Sequence, residues 1–201
     1  TDDTLFQPGA DAIKFFFRRV GVISGFIVNA EKAKKLSSDL FDGRLYYQMY
    51  LAGMLMAEGQ GYYFSDVMTL SRDTEAPDFG NAGTEKGVFT PGGYKPEGRI
   101  HMVEGLLLIA KYIEDTTKID GVYAGIRKDL ANYFYPYIRD QLDLPLYTYI
   151  KMINKFRKMG FSNEKLFYVH AFLGYVLKRR GYDALIKYIR SKKGGTPRLG
   201  I

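Results

Sequence analysis

Apolar positions recur at helical spacing through most of this chain and crowd together in two short runs that read as strands. Asp11 to Arg19 fits a short helix, but Phe15, Phe16 and Phe17 are too many aromatics for one exposed face. Val20 to Val28 is β-branched and nearly free of charge, which predicts a strand buried on both sides. Ser24-Gly25 interrupts that strand. Asn29 is placed to cap a helix over Ala30 to Leu36, whose Lys32, Lys34 and Lys35 face water. A polar turn follows, and Asp42-Gly43-Arg44 stands where it meets the next helix. From Leu45 to Ala57 there is no charge, and Leu45, Met49, Ala52 and Met56 share a helical face until Glu58-Gly59 stops it. That run is shorter than the ~18–20 residues a membrane-spanning helix needs. Tyr62 to Leu70 has the aromatic and β-branched content of a strand, with Arg72 just beyond its end.

The second half of the pattern is helical throughout. Residues 73–97 come first, a Gly- and Pro-rich stretch longer than the ~12–15 residues usual for a loop inside a compact domain, and it is read as a lid with Tyr94-Lys95 at its tip. Ile100 to Glu114 is apolar on most sides and predicts the central helix of a bundle. Ile126 to Leu142 follows, kinked or split by Pro136. Pro145 to Met159 begins with proline and ends in Arg157-Lys158 before Gly160. Ser162 can cap a helix that ends in Lys178-Arg179-Arg180 before Gly181, and Asp183 can start a last one out to about Arg190. Residues 1–9 are expected to be irregular, and the tail from Ser191 mobile. The expected class is α+β, predominantly helical. Two parts are expected: 1–97, an α/β part with the long lid-like loop 73–97, and 98–201, a basic helical extension.

Composition is that of an ordinary globular protein, with 46% hydrophobic and 25% charged residues in a chain of 201. Cysteine is absent, which rules out disulfides, a thiol nucleophile and cysteine zinc sites. No charged segment precedes an apolar one at the start, so no signal peptide is read there. Charge changes the picture more. The net charge of +7 divides into +11 from residue 121 onward (16 Lys and Arg against 5 Asp and Glu) and −4 before it (13 against 17). Segregation on this scale suits an anionic partner, either a membrane surface or nucleic acid. The aromatics among these cations, Tyr147, Tyr149, Phe156, Phe161, Phe167, Tyr168, Tyr175, Tyr182 and Tyr188, suit a lipid headgroup layer or stacked single-stranded bases; about half of the tyrosines fit a core equally well. No nucleic-acid-binding pattern is evident, so the membrane reading is preferred.

Chemical motifs are few. There is no P-loop, no GxGxxG after a strand, no HExxH, no EF-hand loop and no GxSxG elbow. His170 lies on an apolar run and reads as a core histidine, whereas His101 stands just past the lid at a helix start. Asp42 is the leading carboxylate. At a helix mouth it can act as a cap, and a general base would in addition have to reach a substrate hydroxyl.

The order IS-G-x-I-V-N, a Lys-rich helix, F-D-G-R-L-Y-Y-Q-M-Y-L-A, a small turn, Y-Y-F-S-D-V and an arginine resembles the later half of bacterial family 2 glycosyltransferases, of GT-A type, over about residues 12 to 120. The closest likeness is to those that decorate surface polysaccharides using nucleotide sugars. The resemblance implies a small β remnant of a GT-A-like sheet followed by a helical bundle. It implies that Ser24 and Gly25 border the acceptor and that Arg72 lies near the donor phosphates. By their own positions in the chain, Arg44, Gln48, Tyr94, Lys95 and His101 are added to the candidate substrate-binding residues. Where the family has a Glu-Asp pair this chain has Tyr47-Gln48, so Asp42 is assigned the base on position alone.

No Asp-x-Asp occurs in the chain. The Mg or Mn ion that would stabilise the leaving diphosphate is therefore expected only in a complete enzyme, with none in this chain. With Thr1 and not Met as first residue, the chain is expected to be the acceptor-side piece of a longer protein and inactive alone. Its expected partners are a nucleotide sugar, a saccharide or lipid-linked acceptor, an anionic membrane surface at the cytoplasmic face, and a second copy of itself through an exposed sheet edge. The alternative is a non-enzymatic basic helical module that binds nucleic acid or an acidic protein.

Overall fold

A computed structural model describes residues 2–21, 25–66, 89–90 and 93–192. The described elements are β1 (Thr4–Phe6), α1 (Ala10–Arg19), α2 (Ala30–Lys35), α3 (Tyr47–Glu58), β2 (Gly61–Tyr63), β3 (Phe89–Thr90), β4 (Gly93–Tyr94), α4 (Pro96–Thr117), α5 (Val122–Asn132), α6 (Tyr135–Ile138), α7 (Leu146–Lys158) and α8 (Lys165–Lys192). The class is predominantly helical α+β, as the sequence predicts. Its described strands form two antiparallel pairs, β1 with β2 and β3 with β4. Two compact units are formed, one from Thr1–Thr69 with Met102–Leu130, the other from Leu70–His101 with Ala131–Ile201.

In the first unit α1 packs on α3. Asp11 in the first turn of α1 and Arg18 and Arg19 in the last complement the helix dipole. Ala12, Ile13 and Phe17 are buried. The phenylalanine triplet is shared between two surroundings. Phe17 enters the core, while Phe15 and Phe16 meet Phe6 of β1, at ring-centroid distances of 4.2 and 5.3 Å. β1 pairs with β2 in the register Thr4↔Tyr63, Leu5↔Tyr62 and Phe6↔Gly61. Helix α3, without a charge until Glu58, buries Met49, Tyr50, Ala52, Gly53 and Leu55. At Gly53 the missing side chain is what allows the approach of α4, because a Cβ there would collide with Ile113 Cδ1.

The buried strand expected over residues 20–28 is not formed among the described residues. Val20 instead closes α1, and Phe26 to Asn29 have no regular structure. Its apolar content serves another purpose there, as the wall of a cleft. The strand expected from Tyr62 to Leu70 is limited in the described residues to Gly61–Tyr63, and Met68 to Leu70 lie outside them. Of the long loop 73–97, the described residues form the β3–β4 pair, Lys95 and the start of α4 at Pro96.

In the second unit Pro136 does split the expected helix: α5 ends at Asn132 and α6 restarts at Tyr135 with proline in its first turn. Phe134, between the two, is the hub of an aromatic core, with the rings of Phe156, Phe161 and Phe167 at 5.0, 5.1 and 4.8 Å. The 3-10 turn Arg139–Gln141 is tied to α8 by two 2.8 Å hydrogen bonds from the Arg139 guanidinium to the Asp183 carboxylate. It also receives Arg99 from the start of α4, paired with Asp140. The break expected at Gly181 falls at Lys178 instead, which has φ 59° and ψ 176° inside α8. Its ammonium donates to the Leu142 carbonyl at 3.2 Å and lies 3.6 Å from the Tyr175 ring centroid, so tertiary contacts and not glycine choose the break.

Candidate functional site

The first unit holds a cleft of about 580 Å³, within the range of small-molecule sites. Four pieces of chain build it. The end of α1 supplies Phe16 and Arg19, the irregular segment Gly25–Asn29 one wall, the C-terminal half of α3 the floor, and β2 with the residues after it the opposite wall. Local hydrogen bonds fix the helix that follows this wall. The Asn29 side chain accepts from the Lys32 amide at 3.0 Å and so begins α2. The far end of the α2 segment is fixed by the Tyr50 hydroxyl, which donates to the Leu36 carbonyl at 2.9 Å.

The lining is largely aromatic and aliphatic, with a few polar groups. Tyr62 and Phe64 stand beside one another at 4.6 Å and remain 48% and 55% exposed. Their backbone is held from behind: the Asp3 carboxylate accepts from the Ser65 amide and hydroxyl at 2.8 and 2.7 Å, and the Tyr62 hydroxyl donates to it at 3.3 Å. These bonds, the Ser65 amide foremost, hold the Asp3 carboxyl below its usual pKa. Arg19 is positioned by its own helix, with its guanidinium 3.7 Å from the Phe15 ring centroid and donating to the Phe15 carbonyl at 2.8 Å. Burial, then the neighbouring Arg18, lowers its pKa below the ordinary arginine value. The Lys32 ammonium and the Asp66 carboxylate also line the cleft, and neither has an ion-pair partner among the described residues.

Such a lining can hold a flat ligand that is apolar on its faces and polar at its edge. Ring faces accept C–H groups, while a carboxylate, an ammonium and amides address hydroxyls. Sequence analysis missed Phe16, Arg19, Lys32, Gln60, Tyr62, Phe64 and Asp66 as cleft residues. The available signal was the run of aromatics Tyr62-Tyr63-Phe64 leading into Ser65-Asp66.

Of the residues singled out from sequence, Gly25 lines this cleft. Arg44 and Gln48 do not. Arg44 pairs with Glu104 at 3.0 Å, and the Gln48 amide donates to the Gly21 carbonyl at 3.1 Å, tying α3 to the end of α1. Asp42 is exposed in the turn before α3, with its amide donating to the Asp39 carbonyl at 2.9 Å. It does not cap α3, whose N-cap is Tyr46 in the left-handed region at φ 70°. Lys95 and His101 belong to the second unit, Lys95 exposed and His101 half-buried in α4. Tyr94 forms part of β4, and its side chain lies outside what is described, as do Ser24 and Arg72 altogether.

Among the described residues no three His, Asp or Glu side chains group to hold a metal ion. No helix among them is long and apolar enough to cross a membrane. No protein-family model, curated protein or solved structure matches this chain.

Proposed function

We propose that the first-unit cleft binds a saccharide acceptor, and that the chain is the acceptor-side part of a family 2 glycosyltransferase. The complete enzyme would move a sugar from a nucleotide donor to a saccharide or lipid-linked hydroxyl in surface polysaccharide synthesis. The observation that carries this reading is the exposed Tyr62–Phe64 pair facing a cleft with an uncompensated carboxylate, Asp66. A pyranose has two unlike surfaces: C–H faces that lie against aromatic rings and a rim of hydroxyls that need acceptors. Gly25 bordering the same cleft agrees with the resemblance, which puts the Ser-Gly segment beside the acceptor.

In this reading the chain's residues bind and orient. Tyr62 and Phe64 set the plane of the sugar, Asp66 and Gln60 accept or donate at its rim, and Gly25 borders it from another wall. Asp42, given the base on sequence position alone, does not line this cleft and its carboxylate is exposed to solvent, so the cleft residues bind and orient without supplying the base. The donor side of the reaction, with its nucleotide and metal, lies with residues beyond these, so the chain alone binds acceptor without turnover.

The test is a titration of the isotope-labelled chain with methyl glycosides of hexoses and 6-deoxyhexoses, followed by amide chemical shifts. Shifts confined to residues 25–29 and 60–66, with a dissociation constant on the order of 1 mM, are expected for a single-ring probe. No response to any saccharide, together with strong salt-dependent binding of single-stranded RNA, would replace this reading by the basic nucleic-acid-binding module.

A further inference from the structure

The first half of α8, from Lys165 to Leu177, has two apolar faces where one would suffice. Phe167, Ala171 and Gly174 fall on one side and are buried in the second unit. Val169, Phe172 and Val176 fall on the opposite side at i, i+3, i+7 spacing, exposed by 44%, 69% and 58%. Leu166 and Leu177 flank the row on one side and are exposed as well. Surface helices place charged residues on that side, and a helix apolar all round is normally covered.

The charges that do occur indicate what covers it. Lys165 stands at one end of the row, and Arg179 and Arg180 at the other, all three exposed and without an ion-pair partner among the described residues. From Lys165 to Lys192 the helix carries seven Lys or Arg and one carboxylate, Asp183, which is already held by Arg139. An apolar strip with cations at its ends and no free acid matches an anionic lipid surface: acyl chains take the strip and headgroup phosphates take the ends. The strip is about 20 Å long at 1.5 Å per residue, too short to cross a ~30 Å hydrocarbon layer, so the helix must lie in the plane of the interface. Exposed aromatic and basic residues also occur on α7, where Tyr147 and Ile150 stand among Lys151, Lys155 and Lys158.

We propose that the outward face of α8, centred on Val169, Phe172 and Val176 and flanked by Lys165, Arg179 and Arg180, docks the chain in the plane of an anionic bilayer. This inference is independent of the saccharide reading. A lipid surface at this face would bring the chain to where lipid-linked acceptors are held, whichever sugar they carry.

Vesicle flotation of the full chain tests it, with phosphatidylcholine vesicles containing or lacking about a third of phosphatidylglycerol. The chain is expected to float with the anionic vesicles and stay behind with the neutral ones. Arg179→Gln with Arg180→Gln should weaken binding by about thirtyfold, at roughly 1 kcal/mol for each cation at the surface. Phe172→Glu with Val176→Glu should abolish it while leaving the circular dichroism melt in place, because both side chains already face outward. Failure of the wild type to float, or flotation undiminished in the glutamate variant, overturns the proposal. A concentration-dependent dimer that the glutamate variant dissolves, with no lipid binding, overturns it in favour of a second copy as the occupant.

Discussion

The His170 ring is held at both nitrogens: Nδ1 accepts the Tyr182 hydroxyl at 2.5 Å, and Nε2 donates to the Asn132 carbonyl at 3.0 Å. A carbonyl can only accept, so in the neutral ring, which burial favours, the proton sits on Nε2. Tyr182 is buried and its pKa pushed up to about 12, chiefly by burial, which keeps it the donor of the pair. His170 is therefore a structural histidine, joining the end of α5 to both halves of α8.

Stability follows the titration of that ring. Burial lowers the His170 pKa, against a smaller opposing effect of the Asn132 carbonyl. The unfolded chain then binds a proton more readily than the folded one between the depressed native value and the unfolded ~6.5. Stability is full above pH ~6.5 and falls as pH drops through that window. Urea midpoints measured from pH 7.5 to 5 should decline in the wild type and decline less in His170→Gln, whose amide can accept from Tyr182 and donate to Asn132. An identical decline in both would show that the ring does not report on folding.

Gly53 packs against Ile113 with no space for a side chain. Gly53→Ala places a methyl group against Ile113 Cδ1 and should destabilise by about 1–3 kcal/mol, the usual effect of overpacking, although alanine is the better helix former. Pairing it with Ile113→Val should recover part of the loss, as read by thermal melts. Stabilisation by the single variant would contradict so close an approach of α3 and α4.

The break in α8 gives a sharper test. Lys178 has φ 59° and ψ 176°, a region occupied almost solely by glycine and unfavourable for other residues by about 1–3 kcal/mol. Lys178→Ala keeps that strain and loses the bonds to Leu142 and Tyr175; Lys178→Gly loses the same bonds but relieves the strain. Lys178→Gly should therefore be the more stable of the two by roughly 1–2 kcal/mol, the reverse of the order in an unbroken helix. The ordinary order in chemical denaturation would mean that α8 continues straight through Lys178.

These residues show where sequence reasoning succeeded and where it could not. Long amphipathic periods, the cap at Asn29 and the split at Pro136 were legible because each depends on neighbours within a few positions. The described part of the apolar run at residues 20–28 was not, because β-branched residues suit a cleft wall as well as a strand, and only the tertiary surroundings decide between them. The break at Lys178 and the double duty of the Phe15–Phe17 triplet are likewise set by distant partners, Leu142 in one case and Phe6 in the other. Among candidate site residues Gly25, singled out as part of the Ser-Gly segment, lines the cleft. Arg44 and Gln48 looked equally polar in the sequence, and the structure occupies them with Glu104 and Gly21. The cleft's own aromatics were hidden because an aromatic triplet is also what a strand looks like.

The central claim is that Tyr62 and Phe64 form a platform for a saccharide. Affinity of the folded chain for the tightest-binding methyl glycoside should fall by at least about tenfold in Tyr62→Ala with Phe64→Ala, a loss of ~1.4 kcal/mol. Thermal stability should change little, since both rings are about half exposed already. Affinity unchanged in the double variant, with shifts still at residues 60–66, would contradict the account.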